Sequence, residues 1–325
     1  MRVTFIDVGY GDAILFQADS GYTVLLDGGS DLTEEFAGDP YRIRCADYLA
    51  AHGVTHLNAL LISHIHEDHV CGLMPLLEKV TADAVYMPYP VEPFLRGKDV
   101  SPLPDAKRSV HLYTKALNGY RKLIADAVNG GKPVNTLLPG DTVTLTDGLT
   151  VEVLGPRSGN LLPYMEKVQR AYASDDAMEI STLLTELDAT SNATSLLMRV
   201  TADGVPFVLA ADYCPRDWQG LPEGILNDVR VLKLPHHGQK DAVDAELMKD
   251  MPLEYVITTS SSDRRYNSAN PSVYETLSRI SPTGKAPEFL FTDEREYPPY
   301  FSEPEGFHAI VMEIANGTVS VDFER

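Results

Sequence analysis

The chain opens on short runs with strand patterning. Residues 3–8 and 13–17 are mostly apolar and flank Gly9-Tyr10-Gly11-Asp12, whose glycines suit a tight turn between two strands. Residues 22–26 then run into Asp27-Gly28-Gly29, another turn signal. Residues 43–52 carry helical spacing and stop at Gly53. Residues 59–63 form a continuous apolar run of strand length, the pattern of a strand buried on both faces, and they end in a cluster of histidines. In the second half, 194–201, 206–211, 229–234 and 255–259 are again β-rich and divided by Gly, Pro and Asp. A helix over 271–280 and strands near 288–292 and 308–314 close the chain. Between the halves, 107–128 and 161–185 each read as a charged amphipathic helix. These are expected as insertions, at about 90–135 and 157–190, in one domain spanning residues 1–325.

Composition narrows the class. A chain of 325 residues with 44% hydrophobic and 23% charged residues is ordinary globular protein. No stretch approaches the roughly 18 apolar residues of a membrane span. The amino-terminal apolar run is too short for a secretory signal, so a cytoplasmic protein without membrane contact is expected. The 27 Lys and Arg face 47 Asp and Glu, a formal net charge of −20. That surface repels polyanions and argues against a long nucleic-acid groove. Three scattered cysteines make neither a disulfide framework nor a metal knuckle, and Cys71 and Cys214 read as small buried residues.

The chemistry concentrates in Ser63-His64-Ile65-His66-Glu67-Asp68-His69. In an extended turn residues two apart project to one side, so His64 and His66 can grip one ion. Asp68 and His69 follow the bend and can reach a second.

This pattern resembles the signature of the metallo-β-lactamase superfamily, whose fold is α/β, a four-layer αββα sandwich with metals at one sheet edge. Within it the chain is most similar to the ComEC-like hydrolase branch. The stretch from Phe5 to Ala13, with Tyr10 where glutamine is usual, is similar to that branch's opening motif. Leu25-Leu26-Asp27-Gly28-Gly29, Asn192-x-x-Ser195, Ala211-Asp212 and Leu232-Lys233-Leu234-Pro235-His236-His237-Gly238 follow in the family's order. That branch's transmembrane part has no counterpart in the sequence.

The resemblance implies two divalent metal ions, zinc or manganese. His64 and His66 would hold the first, Asp68 and His69 the second, and Asp212 would bridge them. One of His236 and His237 would complete the second site while its neighbour faces the substrate. His236, first after its strand, is assigned the ligand and His237 the donor to the leaving group, with the reverse left open. Asn192 stands where most of the superfamily has a histidine. It is either a third ligand of the first metal, one that lowers zinc affinity and leaves room for manganese or iron, or a turn residue. Asp27 supports the histidine loop through hydrogen bonds or simply caps its turn. Structural roles are expected for Asp7 and Asp12.

Two ions about 3.5–4 Å apart bring a bound water's pKa towards neutrality and polarise the electrophile, so no Ser or Cys nucleophile is required. Asp68 is expected to orient the water or take its proton. Lys233, Arg265 and Tyr266 are candidates for substrate contact, since guanidinium forks suit phosphoryl oxygens. Asn270 stands where the ComEC-like branch has a histidine. The leading expectation is a phosphodiesterase or nuclease acting on a nucleotide, a short nucleic acid or a small phosphodiester. Alternatives are a hydrolase of a lactone, thioester or β-lactam, or a binding protein that has lost catalysis. Oligomeric state is left open.

Overall fold

The computed structural model describes residues 1–293, 295–303 and 305–325. Two sheets form the centre. The first runs in spatial order Thr318–Glu324, Ala309–Ala315, Arg2–Ile6, Ile14–Gln17, Thr23–Leu26, Ala59–Leu61, Val85–Met87 and Val134–Thr136. The second runs Glu288–Phe291, Tyr255–Thr258, Val231–Lys233, Val205–Leu209, Leu197–Ala202, Leu149–Gly155 and Thr142–Thr146. Each sheet is antiparallel on one side and parallel on the other.

Period-two alternation divides the strand residues between two cores. Val3, Phe5, Ile14, Phe16, Val24 and Leu26 of the first sheet meet Val151, Met198, Val200, Phe207 and Leu209 of the second. The intervening Leu15, Leu25 and Leu60 point the other way, into a helical layer. That layer includes Cys45–Ala51, Arg108–Asn129, Ser158–Ala173 and Ala177–Thr190. Pro271–Ile280 packs Val273, Tyr274 and Leu277 against the second sheet. The result is the expected four-layer αββα sandwich.

The inserted helices belong to the outer layer through an aromatic cluster. Tyr113 and Tyr164 join hydroxyls at 2.6 Å, and the Tyr89 ring stacks 5.5 Å from that of Tyr164. The segment expected as one helix over 161–185 is two helices, Ser158–Ala173 and Ala177–Thr190. The break has a local cause: the Asp176 side chain accepts from the amides of Met178 and Glu179, starting a new helix. Among the described residues, no helix is long and apolar enough to cross a membrane.

The topology places the chemistry. The parallel strands end at one edge: Leu26 leads to Asp27, Leu61 to the histidine loop, Leu209 to Asp212, Lys233 to His237 and Thr258 to Thr259.

Phe5 is fully buried between the sheets. Phe5→Ala is expected to cost about 3–5 kcal/mol, read as a lower urea midpoint with an unchanged slope.

Candidate metal centre

Two groups of ligand atoms meet at that edge, His64 with His66 and Asp212, and Asp68 with His69, Asp212 and His237. The hydrogen-bond partners decide which nitrogen of each ring faces inward. His69 Nδ1 donates to Asp27 Oδ2 at 2.8 Å, leaving Nε2 as the free lone pair. His237 Nδ1 donates to the Thr259 carbonyl at 2.7 Å, again leaving Nε2. The Ser63 hydroxyl donates to Asp27 Oδ2 at 2.6 Å, so it accepts from His64 Nδ1 at 3.0 Å. His66 Nε2 donates to the Asp188 carbonyl at 3.2 Å.

His64 Nε2 and His66 Nδ1 therefore face each other as two lone pairs at 3.1 Å. That contact repels unless a cation lies between them. In the second group, Asp68 Oδ2 is 3.1 Å and Asp212 Oδ1 3.3 Å from His237 Nε2, while Asp212 Oδ1 is 3.5 Å from His69 Nε2. Bonds of about 2.1 Å in a tetrahedron put ligand atoms about 3.4 Å apart. His69 Nε2, His237 Nε2 and Asp212 Oδ1 are buried without a hydrogen-bond partner in the described residues. The donor set thus fits divalent ions, and Asp212 faces both groups, with Oδ2 3.9 Å from His64 Nε2 and Oδ1 towards His69 and His237. Asn192 Oδ1 is also buried and unpartnered, and Asn192 lines the same pocket.

Electrostatics point the same way. Burial alone lowers the His69 pKa, but the Asp68 and Asp212 carboxylates hold it well above the ordinary imidazole range. Burial raises Asp212, yet the imidazoles of His237 and His69 pull it well below the usual carboxylate range. Both directions describe a pocket that selects positive charge.

Backbone strain accompanies this geometry. Asp27, Ala211, His236 and His237 are all left-handed, with φ of 58°, 43°, 51° and 53°. Each such residue costs of order 1–3 kcal/mol. At Gly11 a Cβ would strike the Asp68 carbonyl, so only glycine lets the first turn approach the histidine loop.

Two assignments are corrected. His237, not His236, enters the ligand group. The consecutive left-handed residues turn the chain so that the second imidazole points inward, and being first after the strand is no guide. His236 lines the pocket, with Nδ1 3.2 Å from Asp241 Oδ1 and 3.7 Å from Cys214 Sγ. Lys233 does not reach the substrate pocket. It is fully buried, and its Nζ donates to Asp12 Oδ2 at 2.5 Å and to the Ala211 carbonyl at 3.2 Å. Asp12 also accepts from Thr259 Oγ1 at 2.6 Å, which braces the strand end behind His237.

Arg265 and Tyr266 both line the pocket. Arg265 pairs with Glu35 and with Asp263 at 2.6 Å. Asn270 instead caps the helix Pro271–Ile280 through the Ser272 amide.

Sequence reasoning missed Asp188, whose carbonyl orients His66, because a polar residue late in an amphipathic helix carries no signal. The roles of Gln239, which donates to Tyr10 at 3.2 Å, and of the Lys233–Asp12 pair were likewise missed. Only the motif membership of Lys233 and Asp12 marked them.

The sequence model of the metallo-beta-lactamase superfamily matches residues 6–165. That match covers just under half of the chain, and the sandwich and the ligand motifs agree with the same superfamily. It is 22% identical over 292 residues to ComE operon protein 3 of Bacillus subtilis (strain 168), a match covering 86% of this chain. The chain spans 31% of the length of that relative. Solved structures with a similar fold include Zn(2+)-bound PqqB from Methylobacterium extorquens, 12% identical with a TM-score of 0.43, covering 90% of this chain and 97% of that one. A diphosphatase of the PhnP family is 12% identical with a TM-score of 0.39, covering 80% of this chain and 87% of its own.

Removing one partner of a fully buried ion pair leaves an uncompensated charge, at a cost of about 3–5 kcal/mol. Lys233→Met should therefore destabilise the protein by that amount in urea unfolding, and adding Asp12→Asn should recover part of the loss.

Proposed function

We propose that the protein is a dinuclear metal-dependent phosphodiesterase acting on a small phosphodiester or short nucleic acid, with zinc or manganese as the bound ions. One observation carries this reading: the two carboxylate oxygens of Asp212 face different ligand groups, which supports two adjacent ions. Such a pair, when bound, polarises a phosphoryl group and stabilises the attacking and leaving oxygens of an in-line displacement.

The chain's own residues do the rest. His64, His66 and Asp212 would hold one ion, and the unpartnered Asn192 Oδ1 is available to complete its site. Asp68, His69 and His237 would hold the other together with Asp212. Asp68, which lines the pocket, would orient the attacking water or take its proton. His236 faces the substrate, oriented by Asp241, and takes the role first assigned to its neighbour. Arg265 offers a guanidinium to a phosphoryl oxygen. The three cysteines are buried free thiols, which suits a reducing compartment such as the cytoplasm.

Protein loaded with manganese should hydrolyse bis-p-nitrophenyl phosphate while leaving nitrocefin and acyl lactones intact. Arg265→Gln should raise KM about tenfold with a smaller change in kcat, the signature of lost substrate binding. Turnover of nitrocefin or lactone without any diester cleavage would overturn the reading.

A further inference from the structure

The pocket above the ligand groups has a volume of about 560 Å³. Its lining carries six carboxylates, namely Asp68 and Asp212 of the ligand groups with Glu34, Glu35, Glu67 and Asp188. Only two guanidiniums, Arg108 and Arg265, oppose them. Among the described residues the formal balance is −4 with every carboxylate ionised, less where burial raises the Glu67 carboxyl to about 7, and two divalent ions would bring it close to neutrality. The charge of both guanidiniums is balanced by carboxylates, Arg108 by Glu34 and Arg265 by Glu35 and Asp263, which hold Arg265 through Nη1 and Nε and leave Nη2 for a phosphoryl oxygen. No surplus positive charge is left for a second phosphate or a polyanion.

The same pocket offers aromatic surface on one side. The Tyr10 ring lies 4.2 Å from the His237 ring, and the Tyr266 ring meets Tyr10 edge-on at 5.3 Å. A line of rings thus leads from the ligand group to the rim. Tyr266 is 69% exposed, an unusual state for a large aromatic side chain. Its backbone is fixed at a cost: Arg264, Tyr266, Asn267 and Ala269 all have positive φ. Arg264 steadies the segment, with its guanidinium 4.9 Å from the Tyr297 ring centre and a 3.0 Å bond to the Ala269 carbonyl. The loop holds an uncovered aromatic face at the pocket mouth.

Resting on the phosphodiesterase reading, we propose that the substrate is a small, singly charged phosphodiester bearing an aromatic or heteroaromatic group, which Tyr266 and Tyr10 receive while the phosphoryl group lies over the ligand residues. In the reaction, the oxygen of water bonds to phosphorus and one phosphorus–oxygen ester bond breaks. The products are a phosphomonoester and an alcohol that takes up a proton from the water. The phosphomonoester passes its remaining acidic proton to solvent at neutral pH, and the second negative charge this leaves is held less well by a pocket without surplus positive charge.

Calorimetric titration of the manganese-loaded protein with diphenyl phosphate and diethyl phosphate tests this directly. Both are singly charged, and they differ in their rings. Diphenyl phosphate should bind at least about tenfold more tightly, the scale of stacking one ring on an aromatic side chain. Tyr266→Ala should shrink that gap to threefold or less, and Tyr266→Phe should keep it. Equal binding of the two diesters by the wild type, or a gap that survives Tyr266→Ala, would overturn the inference. So would tighter binding of a single-stranded 12-nucleotide DNA than of diphenyl phosphate. Turnover of bis-p-nitrophenyl phosphate, measured alongside, reads out the hydrolase assignment separately. If turnover is absent that assignment fails, while the binding contrast still judges the aromatic preference.

Discussion

Negative charge buried at one edge of the sandwich is the constraint from which the rest follows. Asp12, Asp27 and Asp212 are buried there, and Asp68 is half-buried beside them. Carboxylates taken out of water must be paired or neutralised. Lys233 answers Asp12, and the Nδ1 protons of the histidines answer Asp27 and the Thr259 carbonyl. What remains is Asp68 and Asp212 facing inward lone pairs on four imidazoles. That arrangement of donors fits divalent cations.

The fold serves that edge. Parallel strands from both sheets deliver their carboxyl ends to it, so residues far apart in sequence arrive within a few ångströms. Strain is concentrated there as well, in Asp27, Ala211, His236 and His237, while the strands beneath are regular. The helical layer takes part too. Tyr89 bonds Thr194 at 2.7 Å and Ser191 bonds the Ile65 carbonyl at 2.8 Å, tying the outer helices to the short turn that carries Asn192. The insertions are therefore part of the wall that orients His66 and Asn192.

Much of this was legible in the sequence. The apolar run ending in the histidine loop, the Asp-Gly-Gly turn and the later Asp212 and His-His motifs named the edge and most of its side chains. Of the strands longer than four residues, Arg2–Ile6, Leu197–Ala202, Val205–Leu209 and Ala309–Ala315 were read from the pattern, as was the helix Pro271–Ile280, whereas Thr142–Thr146, Leu149–Gly155 and Thr318–Glu324 were not. Val85–Met87 and Glu67–Val70, three and four residues long, were not read, because neither is set off by a long apolar run. What sequence could not give was direction. Two adjacent histidines look equivalent until their backbone angles are known, and a lysine beside them looks available until its burial is seen. Asp188 acts through its carbonyl, which every residue has, so its identity carried no message. The break at Asp176 was readable in principle, since an aspartate two residues before an amide is a capping signal, but helical periodicity on both sides masked it.

The central claim is that two ions share Asp212 and that His237, not His236, binds one of them. Metal content per chain, by inductively coupled plasma mass spectrometry on protein equilibrated with manganese or zinc, tests it most directly. The wild type and His236→Ala should each hold close to two ions, and His237→Ala close to one. Two ions retained in His237→Ala with one lost in His236→Ala would contradict the assignment, and no metal in the wild type would contradict the site itself.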